Sequence, residues 1–240
     1  MAQFTYQERF RTFRGVFDAF TDRNLFELHS HRVFEDLVSP LEVGKESNVF
    51  IASKGNKKLI VKIYRVQNCD FKRMYNYIRK DPRYEFLKNH RREIIFAWVQ
   101  REYKNLLKAH QAGVTVPKPL ACKFNILVEE MIGDEKPAPQ LKDALPLHPH
   151  QFLDEVIAQM QKLYAAKLIH GDLSAFNILN DQEKPVLIDF SQSTVLKTPN
   201  SEELLVRDVT NIIHFFKKLG IAVNFEETFL KITGKEYVKD

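Results

Sequence analysis

The chain has 240 residues, enough for one large domain or two lobes with a sizeable core, and 36 Lys and Arg against 31 Asp and Glu give a modest net charge of +5. No run of 18 or more apolar residues occurs, and the N-terminal MAQFTYQERF lacks the basic, apolar and small-residue zones of a secretion signal, so a membrane-spanning helix is excluded and a cytoplasmic protein is expected. Cys69 and Cys122 form neither a CxxC nor a metal spacing, which points to free thiols and away from zinc.

Taken in order, Phe10, Phe13, Val16, Phe17 and Phe20 recur at helical spacing over Gln7 to Phe20, and Asp22 to His29 predicts a second helix through Leu25, Phe26 and Leu28. Leu41 to Ala52 reads as a strand, a tight turn at Gly44 with Lys45, Glu46 and Ser47 in it, and a returning strand carrying Val49. Backbone N–H groups and a hydroxyl in such a turn can face phosphate oxygens, although one glycine also serves an ordinary hairpin. Leu59 to Tyr64 is a β-branched strand. Period-two alternation puts Ile60, Lys62 and Tyr64 on one face and Leu59, Val61 and Ile63 on the other.

A charged stretch from Tyr64 to Arg92 is expected to be loop, partly helical near Phe71 to Arg79. Between Arg65 and Lys108 twelve Lys and Arg face five Asp and Glu, a basic bias that suits either a solvated face or RNA phosphates. Arg92 to Gln111, ended by Gly113, predicts a helix whose inner stripe of Ile95, Trp98, Val99, Leu106 and Ala109 also carries Glu102. A carboxylate on a core-facing stripe needs a partner, and Lys62 is the natural one. Such a Lys–Glu pair holds a lysine against nucleotide phosphates in kinase-type phosphoryl transfer.

Pro117 and Pro119 begin a crossing into a strand over Asn125 to Glu130, followed by a Gly- and Pro-rich connector where two lobes would hinge. The backbone of Glu130 and Ile132 there can pair with an adenine edge. Pro149 starts a helix with Phe152, Val156, Met160 and Leu163 inward. Past the stretch described next, Asn200 with Glu203 resembles a capping box opening a helix through Leu205, Val209, Ile212 and Phe216, and a last helix spans about Phe225 to Ile232.

The chemistry concentrates in HGDLSAFNILNDQEKPVLIDFSQ, residues 170 to 192. Asn177 to Leu179 and Val186 to Ile188 read as two short strands joined by the polar turn Asp181 to Lys184 and closed by Pro185. Folding that hairpin brings Asp172, Asn177 and Asp189 together. Hard oxygen ligands so placed suit Mg²⁺ bridging nucleotide phosphates, with the remaining acid free to orient or deprotonate a nucleophile.

Five motifs, GKESNVF (44 to 50), VKIY (61 to 64), WVQREYKNL (98 to 106), HGDLSAFN (170 to 177) and IDFSQS (188 to 193), resemble those of the RIO family of atypical protein kinases, its RIO-one-like branch in particular. The resemblance implies an α+β, two-lobed kinase-like fold: N-terminal helices over 1–32, a mostly β N-lobe over 33–131 and a helical C-lobe over 132–240, with ATP and Mg²⁺, or Mn²⁺, between the lobes. By position it implies Lys62 on the α- and β-phosphates paired to Glu102, and Lys45, Ser47 and Val49 at the nucleotide. It further implies Glu130 and Ile132 at adenine, Asp172 as catalytic aspartate, and Asn177 and Asp189 as metal ligands.

Asp189 is also a possible phosphate acceptor in that family, whose members are ATPases as well as kinases and whose partner is the pre-small ribosomal subunit and its rRNA. A monomer or weak dimer is expected. Gly171, Ser174 and Ser191 depart from ordinary protein kinases, which turns the expectation toward self-phosphorylation and ATP hydrolysis. The competing readings are a small-molecule kinase of the aminoglycoside or choline type and a nucleotide-gated RNA-binding module.

Overall fold

The computed structural model describes residues 17–66 and 69–238, and within them it is α+β. Two compact units emerge. The described residues through Ile78, with Phe86–Tyr103 and Lys118–Met131, form the first; Arg79–Glu85, Lys104–Pro117 and the residues from Ile132 onward form the second. The amphipathic stretch expected to form a helix ahead of Phe17 lies outside the described residues.

In the first unit, α1 (Ala19–Ser30) is started by Asp18, whose side chain accepts from the Thr21 amide at 2.7 Å. It lies against an antiparallel sheet of β1 (Asp36–Val43), β2 (Ser47–Lys54), β3 (Lys57–Tyr64), β4 (Pro119–Lys123) and β5 (Ile126–Glu130) in the order β1-β2-β3-β5-β4. The predicted alternation of β3 is what builds the core. Leu59, Val61 and Ile63 pack with Leu25 and Leu28 of α1, Phe50 and Ala52 of β2, and Ile126 and Val128 of β5. A fully buried side chain of this kind contributes roughly 1.5–3 kcal/mol, so the stripe fixes strand register. The helices α2 (Phe71–Ile78) and α3 (Arg91–Gln111) follow β3.

Two strands depart from the expected boundaries for one reason. β1 starts at Asp36 rather than Leu41, and β4 occupies what reads as a mere crossing; both are edge strands containing prolines, Pro40 and Pro119. An edge tolerates a missing N–H, and β1 accommodates Pro40 beside a register irregularity between Pro40 and Glu42. Ser47 is the first residue of β2, paired with Tyr64, and not part of the turn.

The second unit is built on α4 (Pro149–Ala165), α5 (Ser201–Lys218) and α6 (Phe225–Thr233). Phe152, Val156, Met160 and Leu163 of α4 and Leu205, Val209, Ile212 and Phe216 of α5 are buried, as their spacing predicts. Asn200 precedes α5 but makes no side-chain cap bond, so the capping box does not form; its ψ of 22° is not the extended conformation a cap needs. Asn224 does cap α6, accepting from the Glu227 amide.

Two minimal ladders complete the unit. β6 (Leu168–Ile169) pairs with β9 (Thr194–Val195), and β7 (Ile178–Asp181) pairs with β8 (Lys184–Leu187). The second hairpin is tighter than expected, because Gln182 and Glu183 alone make the turn, with φ of 52° and 69°. Two successive positive φ values define the type I′ geometry that matches strand twist. Pro185 therefore lies inside β8.

Candidate active site

Lys62 sits mid-strand on β3, with Val49 of β2 and Leu127 of β5 directly opposite it on either side. This is the face away from the α1 core. From α3, Glu102 meets it: Lys62 Nζ lies 2.9 Å from Glu102 Oε1. The Glu102 side chain is 2 % exposed, a burial that would cost several kcal/mol without a counter-charge. Its other oxygen accepts from the Tyr64 hydroxyl at 2.5 Å, and Lys62 Nζ stands 5.2 Å above the Tyr64 ring. Residues 62 and 64 are two apart on one strand, so the same alternation that aims the ammonium at the helix also aims the phenol there.

The glycine turn is closed by the Gly44 amide donating to the Ser47 carbonyl at 2.9 Å. It is braced from behind, because the Glu46 carbonyl accepts from the Arg65 amide and from Cys69 Sγ, and Asn48 Oδ1 accepts from the Arg65 guanidinium at 2.9 Å. Lys45 at the tip is exposed, and Ser47 and Val49 are half-buried. At the end of β5, the Glu130 amide donates to the Lys118 carbonyl. In the second unit, the Ile132 carbonyl accepts from the Ala138 amide at 2.8 Å. That loop depends on Gly133, whose φ is 105° and where a Cβ would stand 2.3 Å from the Lys136 carbonyl.

In the second unit the β7–β8 hairpin draws Asp172, Asn177 and Asp189 together. The Ile188 amide donates to the Asn177 carbonyl at 3.0 Å, which sets Asp189 beside the start of β7. Asn177 Nδ2 donates to the Asp172 carbonyl oxygen at 2.7 Å, so its amide nitrogen is committed to the loop. Asp189 adopts a left-handed φ of 60°, a conformation unusual for a residue with a Cβ and enriched at functional sites.

Asn177 and Asp189 offer oxygen and no soft donor. Among the described residues no group of three or more His, Cys, Asp or Glu is arranged to hold a metal. Two protein oxygens are what Mg²⁺ accepts when phosphates and waters complete its shell, so the residues present fit that ion.

The family model of the RIO domain matches residues 48–229. The Rio1 serine/threonine-protein kinase of Methanocaldococcus jannaschii is 40 % identical over 96 % of this chain and 80 % of its own, and that of Haloferax volcanii 35 % over 95 % and 80 %. This chain belongs to the RIO family of atypical serine/threonine kinases. Human RIO1 is 31 % identical over 88 % of this chain and 39 % of its own length. A solved Rio2 kinase–ADP/Mg²⁺–phosphoaspartate complex from Chaetomium thermophilum has the same fold, with a TM-score of 0.69 at 22 % identity over 90 % of this chain and 67 % of that one.

In this RIO kinase three residues around Asp172 lie outside the five motifs or carry no motif signal of their own: Asp208, Gln192 and Arg207. Asp208 of α5, 1 % exposed, accepts from the amides of Gly171 and Leu173 at 2.7 and 2.8 Å, bracketing Asp172. Burial pushes its carboxyl up to about 7 even though those amides and Arg207 favour the charged form. The signal was available: Asp208 lies three residues after Leu205 and four before Ile212 on the buried stripe, the same argument that singles out Glu102. Gln192 Nε2 donates to Asp172 Oδ2 at 2.9 Å, and Arg207 Nη2 lies 3.9 Å from Asp172 Oδ1. No periodicity announces these two.

His170 is buried, donates from Nε2 to the Ile188 carbonyl at 2.9 Å and packs on Phe190, and burial brings its pKa down to about 4. The neutral ring is therefore a strut between the loop that carries Asp172 and the segment leading to Asp189. The basic count between Arg65 and Lys108 is also partly internal. Arg101 is buried over the Tyr77 and Trp98 rings, and Arg83 is tied to Asp81. Lys72, Arg73, Arg79, Lys80, Lys88, Arg91 and Arg92 remain exposed.

Proposed function

We propose that the chain uses ATP with Mg²⁺ and passes the γ-phosphate to a hydroxyl or to water, with Asp172 as the base. What carries this is the occurrence in one chain of two arrangements that a plain scaffold does not need: Lys62 locked to a buried Glu102, and Asp172, Asn177 and Asp189 drawn together at the base of one hairpin. Lys62, held by Glu102, takes the α- and β-phosphates. Lys45 in the glycine turn and Ser47 and Val49 on β2 beyond it meet the nucleotide, and the Glu130 carbonyl and Ile132 amide meet adenine. Asn177 and Asp189 would hold the ion, which would offset the negative charge of the phosphates.

In the reaction the acceptor oxygen bonds to the γ-phosphorus, the bond to the β–γ bridging oxygen breaks, ADP leaves, and the acceptor's proton passes to the Asp172 carboxylate. The half-exposed position of Asp172 leaves it accessible to an acceptor. Asp189 carboxylate is itself a candidate acceptor, giving a phosphoaspartate of the kind named for the Rio2 complex, and self-phosphorylation follows from the same chemistry. We place the protein in the cytoplasm, in maturation of the small ribosomal subunit, where the exposed basic residues of 72–92 would meet rRNA phosphates.

The test is Asp172→Ala with radiolabelled ATP and Mg²⁺. ADP formation is expected to fall at least a hundredfold, on the order of a general base's contribution, with ATP affinity retained. Unchanged turnover removes Asp172 from the chemistry, and robust transfer to a small alcohol with weak self-labelling would favour a small-molecule kinase.

A further inference from the structure

The Asp172 carboxylate is approached from two elements that are distant in sequence. Gln192, in the 3₁₀ turn Phe190–Gln192 that follows Asp189, donates to Oδ2 at 2.9 Å. Arg207, on α5 immediately before Asp208, has Nη2 3.9 Å from Oδ1 and also donates to the Gly171 carbonyl. Asn177 Nδ2 adds a long contact to Oδ2 at 3.5 Å. Donors thus stand against both oxygens.

A carboxylate rotates in a broad torsional well, so a half-exposed aspartate on a loop would otherwise sample many directions. We propose that Gln192 and Arg207 are positioning residues that fix the direction of the Asp172 carboxylate as proton acceptor. This inference rests on the reading of Asp172 as the base.

The division of labour follows from chemistry. Gln192 is neutral, so its bond orients Oδ2 without placing a charge beside it. Arg207 is charged and half-exposed, and at 3.9 Å it supplies a field more than a directed bond. Its bond to the Gly171 carbonyl fixes the guanidinium, while the adjacent Asp208 fixes the Gly171 and Leu173 amides. The path of the loop and the aim of its acid therefore derive from consecutive residues of one helix. Gln192 ties that aim to the segment that carries Asp189, three residues earlier.

The experiment measures kcat and KM for ATP, with Mg²⁺ saturating, on the full chain carrying Gln192→Met, Gln192→Ala, Arg207→Met or Arg207→Lys, each also combined with Asp172→Asn. In the Asp172 background each removal is expected to lower kcat about tenfold to a hundredfold, the scale set by misplacing a reacting group, with KM for ATP within about twofold. Arg207→Lys, which keeps the charge, should recover part of the loss.

In the Asp172→Asn background the same substitutions should change kcat less than about twofold, because effects that act through one group do not add. Equal losses in both backgrounds would mean a merely structural role and would overturn the proposal, as would wild-type kcat in both Met variants. Full activity of Asp172→Asn alone would instead sink the base assignment beneath it. Thermal melting run alongside identifies any variant that does not fold, and the second substitution at that position then decides.

Discussion

The two halves of the candidate chemistry are held in opposite ways. Lys62 and Glu102 form a buried pair locked by side chains across 40 residues of sequence, with Tyr64 closing the second carboxylate oxygen. Asp172, Asn177 and Asp189 lie within a short stretch and owe their placement mainly to backbone bonds, those of the β7–β8 hairpin and those that Asp208 makes to the loop amides. In the first, function and folding energy reside in the same atoms. In the second they are separated, since the side chain proposed to act is half-exposed while the atoms that hold it are buried.

That contrast breaks most visibly under substitution. Asp172→Asn should lower turnover by about a hundredfold or more while leaving unfolding free energy within about 0.5 kcal/mol, because a half-exposed polar exchange removes little that is buried. Steady-state ADP release and a denaturant titration read the two quantities. Lys62→Met should cost about 3 kcal/mol of stability as well as activity, since it strands a buried carboxylate. Lys62→Met with Glu102→Leu should regain most of that stability and none of the activity. A double variant as unstable as the single one would erase the distinction between the halves.

Smaller effects sharpen it. Tyr64→Phe should cost about 1.5–3 kcal/mol, the scale of one hydrogen bond to a buried charged group, by equilibrium unfolding. Asp208 gives a pH signature. Its folded pKa, raised to about 7 by burial, lies above that of the unfolded carboxyl, so the folded state holds the extra proton between the two values. Stability is therefore fully present below the unfolded pKa, about 4, and is lost as pH rises toward 7, with a slope of at most about 1.4 kcal/mol per pH unit. Asp208→Asn should remove that slope, and parallel unfolding curves for the two proteins between pH 5 and 8 would contradict it.

Legibility in the sequence followed the range of each interaction. The hairpin carrying Asn177 and Asp189 could be read because apolar runs bracket a polar turn, though its two-residue turn of Gln182 and Glu183 lacks the Asn-Gly signal that would have fixed the boundaries. Glu102 could be read because a charge on an apolar stripe demands an explanation. The first half of β1 and the whole of β4 could not, since proline argues against a strand unless the edge is already known. Tyr64 to Glu102, Gln192 to Asp172 and Asp208 to the loop amides join residues 38, 20 and 35 to 37 positions apart by side-chain geometry that follows no period.

The left-handed backbone at Asp189 decides how that residue can be replaced cleanly. Asparagine tolerates such a conformation almost as well as aspartate, whereas alanine does not. Swapping in the amide would thus delete a negative charge and leave the chain's path alone, while the customary truncation to alanine would mix lost chemistry with a bent loop.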